Sequence, residues 1–266
     1  RIYWLVEGAG PGMRIAPVTY FHAAPSNETS VAPSRATYNE RKIYLARLLN
    51  GEEGQSFFGA LITNDGLTNQ NIDLHRADLT SSVPVTIDVV LQGIPSEVDH
   101  NVAMTVNGEV VGQLLFSADD NVAASFSFPH SFLKEGPNSV GFQALGQSVD
   151  LSVIDYFHIN YQRRLVLESD AIHFGWAGKE PMTIDSQGLP VRIVEIGDNA
   201  DVASSNISPS NSHVSIQLSD EHQGAMLALT ADGALAPAWI KRDVGSTLHD
   251  ESNAAELLIV SHPEFL

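Results

Sequence analysis

Apolar residues recur at every second position in one run after another, and this period of two constrains the fold more than any other feature of the chain. Val83, Val85, Ile87, Val89 and Leu91 alternate with Pro84, Thr86, Asp88, Val90 and Gln92, the pattern of a strand with one face in a core. Val102, Met104 and Val106 repeat it and run into Asn107-Gly108, the dipeptide suited to a two-residue hairpin turn with positive φ at both positions. Residues 110–116 form the return strand. Val122, Ala124, Phe126 and Phe128 alternate next, and Phe132-Leu133 sits in a short connection expected to make one helical turn. Residues 138–145 and 153–161 close the series, the latter with Val153, Asp155, Phe157, Ile159 and Tyr161 on one face. Strands at roughly ten-residue spacing with turns between them indicate an all-β sandwich or jelly roll.

The stretch 39–49 fits neither helix nor strand cleanly. It is read as strand because Gly51 and Gly54 bracket a turn before residues 57–62. The Ser/Pro-rich segment 25–34 reads as a loop. Arg163-Arg164 marks a seam, after which runs at 191–196, 213–218, 225–230 and 236–240 outline a second, smaller β-module. The polar stretch 243–253 reads as a linker. The apolar run 255–260 has the character of a buried parallel strand. The expected organisation is therefore a jelly-roll sandwich at 1–163 and a small immunoglobulin-like β-sandwich at 165–245. Residues 246–266 would hold the linker and the first strand of a missing domain. The chain opens on Arg1-Ile2-Tyr3-Trp4-Leu5-Val6, already a strand pattern, so it is expected to be a piece of a longer protein.

Charge narrows the partners. Acidic residues number 32 against 14 basic ones, a net charge of −18. Phosphate neutralisation needs clustered Lys and Arg, so a nucleic-acid partner is not expected, nor an anionic membrane surface. No run approaches the roughly 18 apolar residues of a membrane-spanning helix. The chain has no cysteine, which removes disulfides, thiolate metal sites and cysteine nucleophiles from these residues.

The motifs that carry chemistry elsewhere fail here. Gly8-Ala9-Gly10-Pro11-Gly12 has Met13 where a dinucleotide fingerprint needs its last glycine, and Pro17 interrupts the helix that should come next. Asp198-Asn199-Ala200-Asp201 lacks the ligand that a calcium loop needs at its third position. Asp119-Asp120-Asn121 reads as a solvated turn. The ten histidines are scattered, with no metal-binding pair at helical spacing; His100 and His158 read as structural strand residues. Glu52-Glu53 are neighbours in a turn and cannot face each other across a sugar. No catalytic residue, metal ligand or cofactor is expected. Trp4 reads as core, and Trp176, in Phe174-Gly175-Trp176-Ala177-Gly178, is the aromatic residue to test for ligand contact.

Several stretches together resemble the gingipain-like cysteine peptidase family. Tyr3-Trp4-Leu5 with Gly12-Met13-Arg14 resembles the entry of that family's N-terminal regions. Asn107-Gly108 with Gly112, then residues 132–138, then Asp155-Tyr156 through Arg163, resemble its jelly-roll module. Ala255-Glu256-Leu257-Leu258-Ile259-Val260-Ser261-His262-Pro263-Glu264-Phe265 is similar to the first strand of its caspase-like catalytic domain. The resemblance implies a secreted or cell-surface bacterial protein and a non-catalytic region that positions or presents the missing C-terminal domain, with the catalytic His and Cys beyond this chain. His262 matches the strand-end His of the family and is not carried over as catalytic. A carbohydrate-binding module, with a glycan as partner, is the alternative.

Overall fold

The structure, a computed structural model, describes residues 10, 15–17, 21–23, 26, 28–46, 48, 56–95, 99–146, 149–167, 171–176, 181–196, 202–217 and 224–242. Among the described residues, nineteen strands and a single 3-10 turn make up the secondary structure. The strands of the first half are β1 (Ala16–Pro17), β2 (Phe21–His22), β3 (Val31–Tyr38), β4 (Ile43–Tyr44), β5 (Phe57–Phe58), β6 (Leu61–Ile62), β7 (Thr68–Leu74), β8 (Val85–Gly93), β9 (His100–Val106) and β10 (Glu109–Phe116). The remaining strands are β11 (Asn121–Phe128), β12 (Gly136–Ala144), β13 (Ser152–Arg164), β14 (Ala171–Trp176), β15 (Met182–Asp185), β16 (Val191–Ile196), β17 (Val202–Ile207), β18 (His213–Gln217) and β19 (Gly224–Leu229).

The first sandwich is a jelly roll. One sheet runs β11-β8-β13-β3, with β6 also on β13; the other runs β10-β9-β12-β7. From β7 onward the chain keeps returning from one sheet to the other, and the alternating residues of both inner faces meet in one core. Ile87, Val89, Leu91, Met104, Val106, Phe142 and Ile159 are fully buried there. The Asn107-Gly108 turn has positive φ at both residues, 52° and 93°, and joins β9 to β10 as a two-residue hairpin. The connection after β11 contains one 3-10 turn, His130–Phe132.

Period two breaks once in β13, at a bulge between Ile154 and Tyr156. Val153 therefore packs into a satellite cluster with Leu48 and Phe58 while Ile154 enters the main core. Asp155, expected on the core face, is instead held by Arg41, whose Nη1 donates to the carboxylate at 2.6 Å and to the backbone carbonyl at 2.9 Å. A bulge inserts one unpaired residue and reverses the side-chain phase beyond it.

The second sandwich is smaller. A five-stranded sheet, β1-β17-β16-β19-β14, faces a three-stranded one, β15-β18-β2. Its core includes Leu165, Leu167, Met182, Ile184, Ile193, Ile216 and Met226. β1 pairs with β17 and β2 with β18, so these two strands join the sheets of this sandwich although they fall within the stretch 1–163 expected to form the first. Two further expectations change. Residues 31–34 are strand rather than loop, with Pro33 tolerated because β3 is an edge. Residues 236–240 form no strand; they fall in the unit Leu235–Leu266 rather than in Arg1–Ala234, and Leu235, Trp239 and Ile240 are exposed. Trp4, the Asp198–Asp201 loop, most of the Gly8–Gly12 turn and the run 255–260 lie outside the described residues.

What locks the two sandwiches together is the antiparallel pair β3–β13, in register from Phe157↔Tyr38 to Arg164↔Val31. Phe157, Ile159 and Tyr161 fill the first core, whereas Ala32 and Leu165 fill the second. Arg163-Arg164 stands where one core gives way to the other. Both cores thus share a continuous, hydrogen-bonded ladder instead of a flexible linker.

Candidate functional site

The outer face of the β11-β8-β13-β3 sheet carries side chains that no core explains. Register aligns Ser125, Asp88, His158 and Thr37 in one cross-strand row, and Ser127, Thr86, Asn160 and Arg35 in the next. Period two requires this: Ile87, Phe157 and Ile159 point inward, so their neighbours must point out. The rows are tied laterally. Ser125 Oγ donates to Asp88 Oδ1 at 2.7 Å, Asn160 Nδ2 to Asp88 Oδ2 at 2.8 Å, and Arg35 Nε to Asn160 Oδ1 at 2.7 Å. Thr37 Oγ1 and His158 Nδ1 share a hydrogen bond of 2.9 Å, and the Tyr156 and His158 rings lie 5.0 Å apart.

The electrostatics follow from these contacts. The Ser125 hydroxyl, with Asn160 and then Arg35 beyond it, holds the Asp88 carboxyl below its usual range. Burial, reinforced by the Arg35 charge, lowers the His158 imidazole and keeps it neutral. A hydroxyl on an imidazole invites a nucleophilic reading, which needs a third group to orient the base. Asp88 instead engages Ser125 with one oxygen and Asn160 with the other. The surface is a positioned array of donors and acceptors beside two rings.

Around the edge of this face, β3 borders a cleft of about 550 Å³. Ser34 through Glu40 form one wall, Asn71, Asp73 and His75 of the β7 side form the other, and Tyr161, Arg163 and His173 close the end nearest the seam. Tyr38, packed in the first core, also lines the cleft, its hydroxyl 2.7 Å from Gln70 Oε1 and 3.0 Å from Glu40 Oε2; burial, with the Glu40 carboxylate, pushes its phenol up. Glu40 is also paired with Lys42. Burial lowers the Arg163 guanidinium from its ordinary value.

The residues singled out in the sequence fare differently. Trp176 ends β14 half-buried against the second core, with its indole N–H buried and without an acceptor among the described residues. Nothing brings it to the outer face or the cleft. Asp119 and Asp120 sit in a turn whose carbonyls accept from Gln92 Nε2 and from the Gly93 N–H. Asp88, Tyr156, Asn160, Arg35 and Arg163 escape a reading of the sequence as a set because they come from three strands; outward alternation was the available signal, and pairing order was not.

His100 is structural in an unusual way. It is fully buried, with Nδ1 2.6 Å from Asp150 Oδ1 and Nε2 2.7 Å from the Ala118 carbonyl. Asp150 also accepts from the Asn101 N–H, and its own N–H donates to Asn64. A carbonyl only accepts, so Nε2 carries a proton and a further proton lies between ring and carboxylate. Gly93 lies against this knot: a Cβ there would meet the Ala118 carbonyl and stand 2.8 Å from His100 Nε2. Gly93→Ala is expected to cost about 1–3 kcal/mol through overpacking; an unchanged urea midpoint would show that the loop yields freely.

His130 supplies a pH dependence. Its Nε2 accepts from the Gln162 N–H at 3.1 Å, so the ring is neutral in the fold, and burial, partly opposed by the Val83 backbone and Asp78, lowers it from 6.5. A depressed folded value means the unfolded chain takes up the proton first as pH falls. Stability should therefore be complete above about pH 6.5 and decline as pH drops through the folded value, His158 acting in the same direction. Urea midpoints at pH 7.5, 6 and 5 should show this slope, and His130→Gln should flatten it. An equal slope in the variant would assign the effect elsewhere.

Against known proteins, no family model matches the chain, and no curated protein matches its sequence. Among solved structures it is similar to dimeric latent PorU from Porphyromonas gingivalis, with a TM-score of 0.60 at 10% identity over 82% of this chain. The fold is shared with PorU. That likeness takes in only 22% of PorU, so this chain spans about a fifth of PorU's length. Looser likenesses include the CBM36-1 domain of a multidomain xylanase from the hindgut metagenome of Trinervitermes trinervoides, at TM-score 0.31 and 8% identity, covering 50% of this chain and 96% of that one. The C-terminal domain of the sugar-binding protein EclA matches at TM-score 0.24 and 12% identity, covering 57% and 88%. Among the described residues, no helix is long and apolar enough to cross a membrane.

Proposed function

We propose that this chain is a non-catalytic accessory region of a secreted or cell-surface bacterial protein, and that it positions or presents a downstream gingipain-like cysteine peptidase domain. The observation that carries the reading is the fold likeness to gingipain-related PorU, which extends over 82% of the chain and so takes in more than one sandwich. The resemblance of residues 255–265 to the first strand of a caspase-like domain supports it. So does the shared β3–β13 ladder, because a region that holds a neighbour in place gains from two cores that cannot swing independently. The test has two arms. Residues 1–266 alone should hydrolyse no member of a peptide-substrate panel; inhibitor-sensitive turnover would overturn the reading. In the parent protein, deleting residues 1–242 should abolish surface display or folding of the downstream domain. A deletion product that is displayed and active at parental levels would count equally against it.

A second reading, a carbohydrate-binding module, is favoured by one observation: the Tyr156 and His158 rings lie beside the Asp88–Asn160–Arg35 array on an open sheet face. Rings stack on sugar faces while such donors and acceptors match hydroxyls. A glycan array would then give saturable binding that Tyr156→Ala and Asn160→Ala abolish. Loss with Trp176→Ala alone would move the site to the second sandwich, and silence across the array would end this alternative.

A further inference from the structure

We infer that the cleft beside β3 is a receptor for an acidic peptide in extended conformation, one of whose carboxylates caps Arg163. Three observations converge. First, Arg163 lines the cleft, and its Nε is buried with no hydrogen-bond partner among the described residues. A buried donor without an acceptor is costly, and a guanidinium's fork of parallel N–H donors is matched best by a carboxylate. Tyr161 and then Glu135 favour its charge, and Arg76 opposes it.

Second, the walls are strand edges. Among the described residues, β3 pairs with β13 on one side only, and β7 pairs with β12 on one side only. Each therefore turns alternate backbone N–H and C=O groups toward the cleft. An added strand satisfies such a ladder because its backbone repeats at the same spacing; a sugar chain has no such repeat. The volume, about 550 Å³, lies in the ordinary range of ligand sites.

Third, the cleft collects cationic and imidazole side chains. In a chain of net charge −18, the lining brings Arg35 and Arg163 together with His75 and His173, beside Glu40 and Asp73. A carboxylate held at Arg163 sets the register of the peptide.

The experiment uses the whole chain. A random heptapeptide library is selected on immobilised wild type and on Arg163→Gln, and the best binder is titrated by calorimetry beside its counterpart with Asn and Gln in place of Asp and Glu. The expected result is enrichment of acidic sequences on wild type and at least tenfold weaker binding both for the amide counterpart and for Arg163→Gln. Arg163→Lys should recover part of the affinity, keeping charge without the fork. Should Arg163→Gln fail to fold, hydrogen exchange of the wild type decides instead: the acidic peptide should slow exchange at backbone amides within residues 34–40. No acidic enrichment, equal binding to both proteins, or absent protection on β3 would overturn the proposal. So would Arg163-dependent binding of a uronate oligosaccharide without peptide binding.

Discussion

Asp150→Ala is expected to destabilise the first sandwich by about 3–5 kcal/mol, the range for breaking one partner of a buried charged pair. The carboxylate and His100 are both fully buried, 2.6 Å apart. Removing Asp150 leaves the Nδ1 side of the ring facing a void while the Ala118 carbonyl still requires a proton on Nε2. The Asn101 N–H loses its acceptor as well. Against a total stability of about 5–15 kcal/mol, this would show as a large fall in the urea midpoint. The pair acts as a unit, so the double variant His100→Ala/Asp150→Ala should lose clearly less than the sum of the single losses. A single-variant loss under about 1 kcal/mol, or strict additivity, would mean that water takes over the role of the carboxylate.

Phe157→Ala should rival it, at about 3–5 kcal/mol for an aromatic-to-alanine cavity. Phe157 is fully buried, stacks on Tyr38 at 4.8 Å with rings 6° from parallel, and meets Phe142 at 5.9 Å. It therefore joins β13 to β3 within one sheet and to β12 in the facing one. Its loss also frees the Tyr38 ring, whose hydroxyl bonds Gln70 of β7. The ladder between the two cores should loosen with it, so hydrogen exchange across β3 should quicken in parallel with the fall in melting temperature. A stability loss with unchanged exchange on β3 would show that the ladder holds without the ring.

How far these features were legible varies residue by residue. The core face of β8, the Asn107-Gly108 hairpin and the 3-10 turn near Phe132 are local: alternation and turn chemistry decide them within a few residues. The Asp155 phase was not legible, because a bulge is a matter of pairing between strands and leaves period two intact on paper. Pro33 marked a loop by composition, yet it lies in an edge strand, where no ladder donor is required of it. Trp176 drew attention because glycines flank it, whereas the fold sets it against a core. The outer-face array required knowing that Ser125, Asp88, His158 and Thr37 share a row, which only strand order reveals.

By itself, then, the sequence determined that this chain folds as sandwiches. Strict alternation has one stable use, a sheet with a buried and a solvated face, and turn residues every ten positions divide it into strands. It also determined the acidic character that argues against a nucleic-acid partner. Only the tertiary structure decided that β1 and β2 belong to the second sandwich, that one strand pair serves both cores, and that Arg163 lines a cleft between two strand edges. The strand pairings among them join residues more than a hundred positions apart, and alternation carries no information about which strand a given strand will meet.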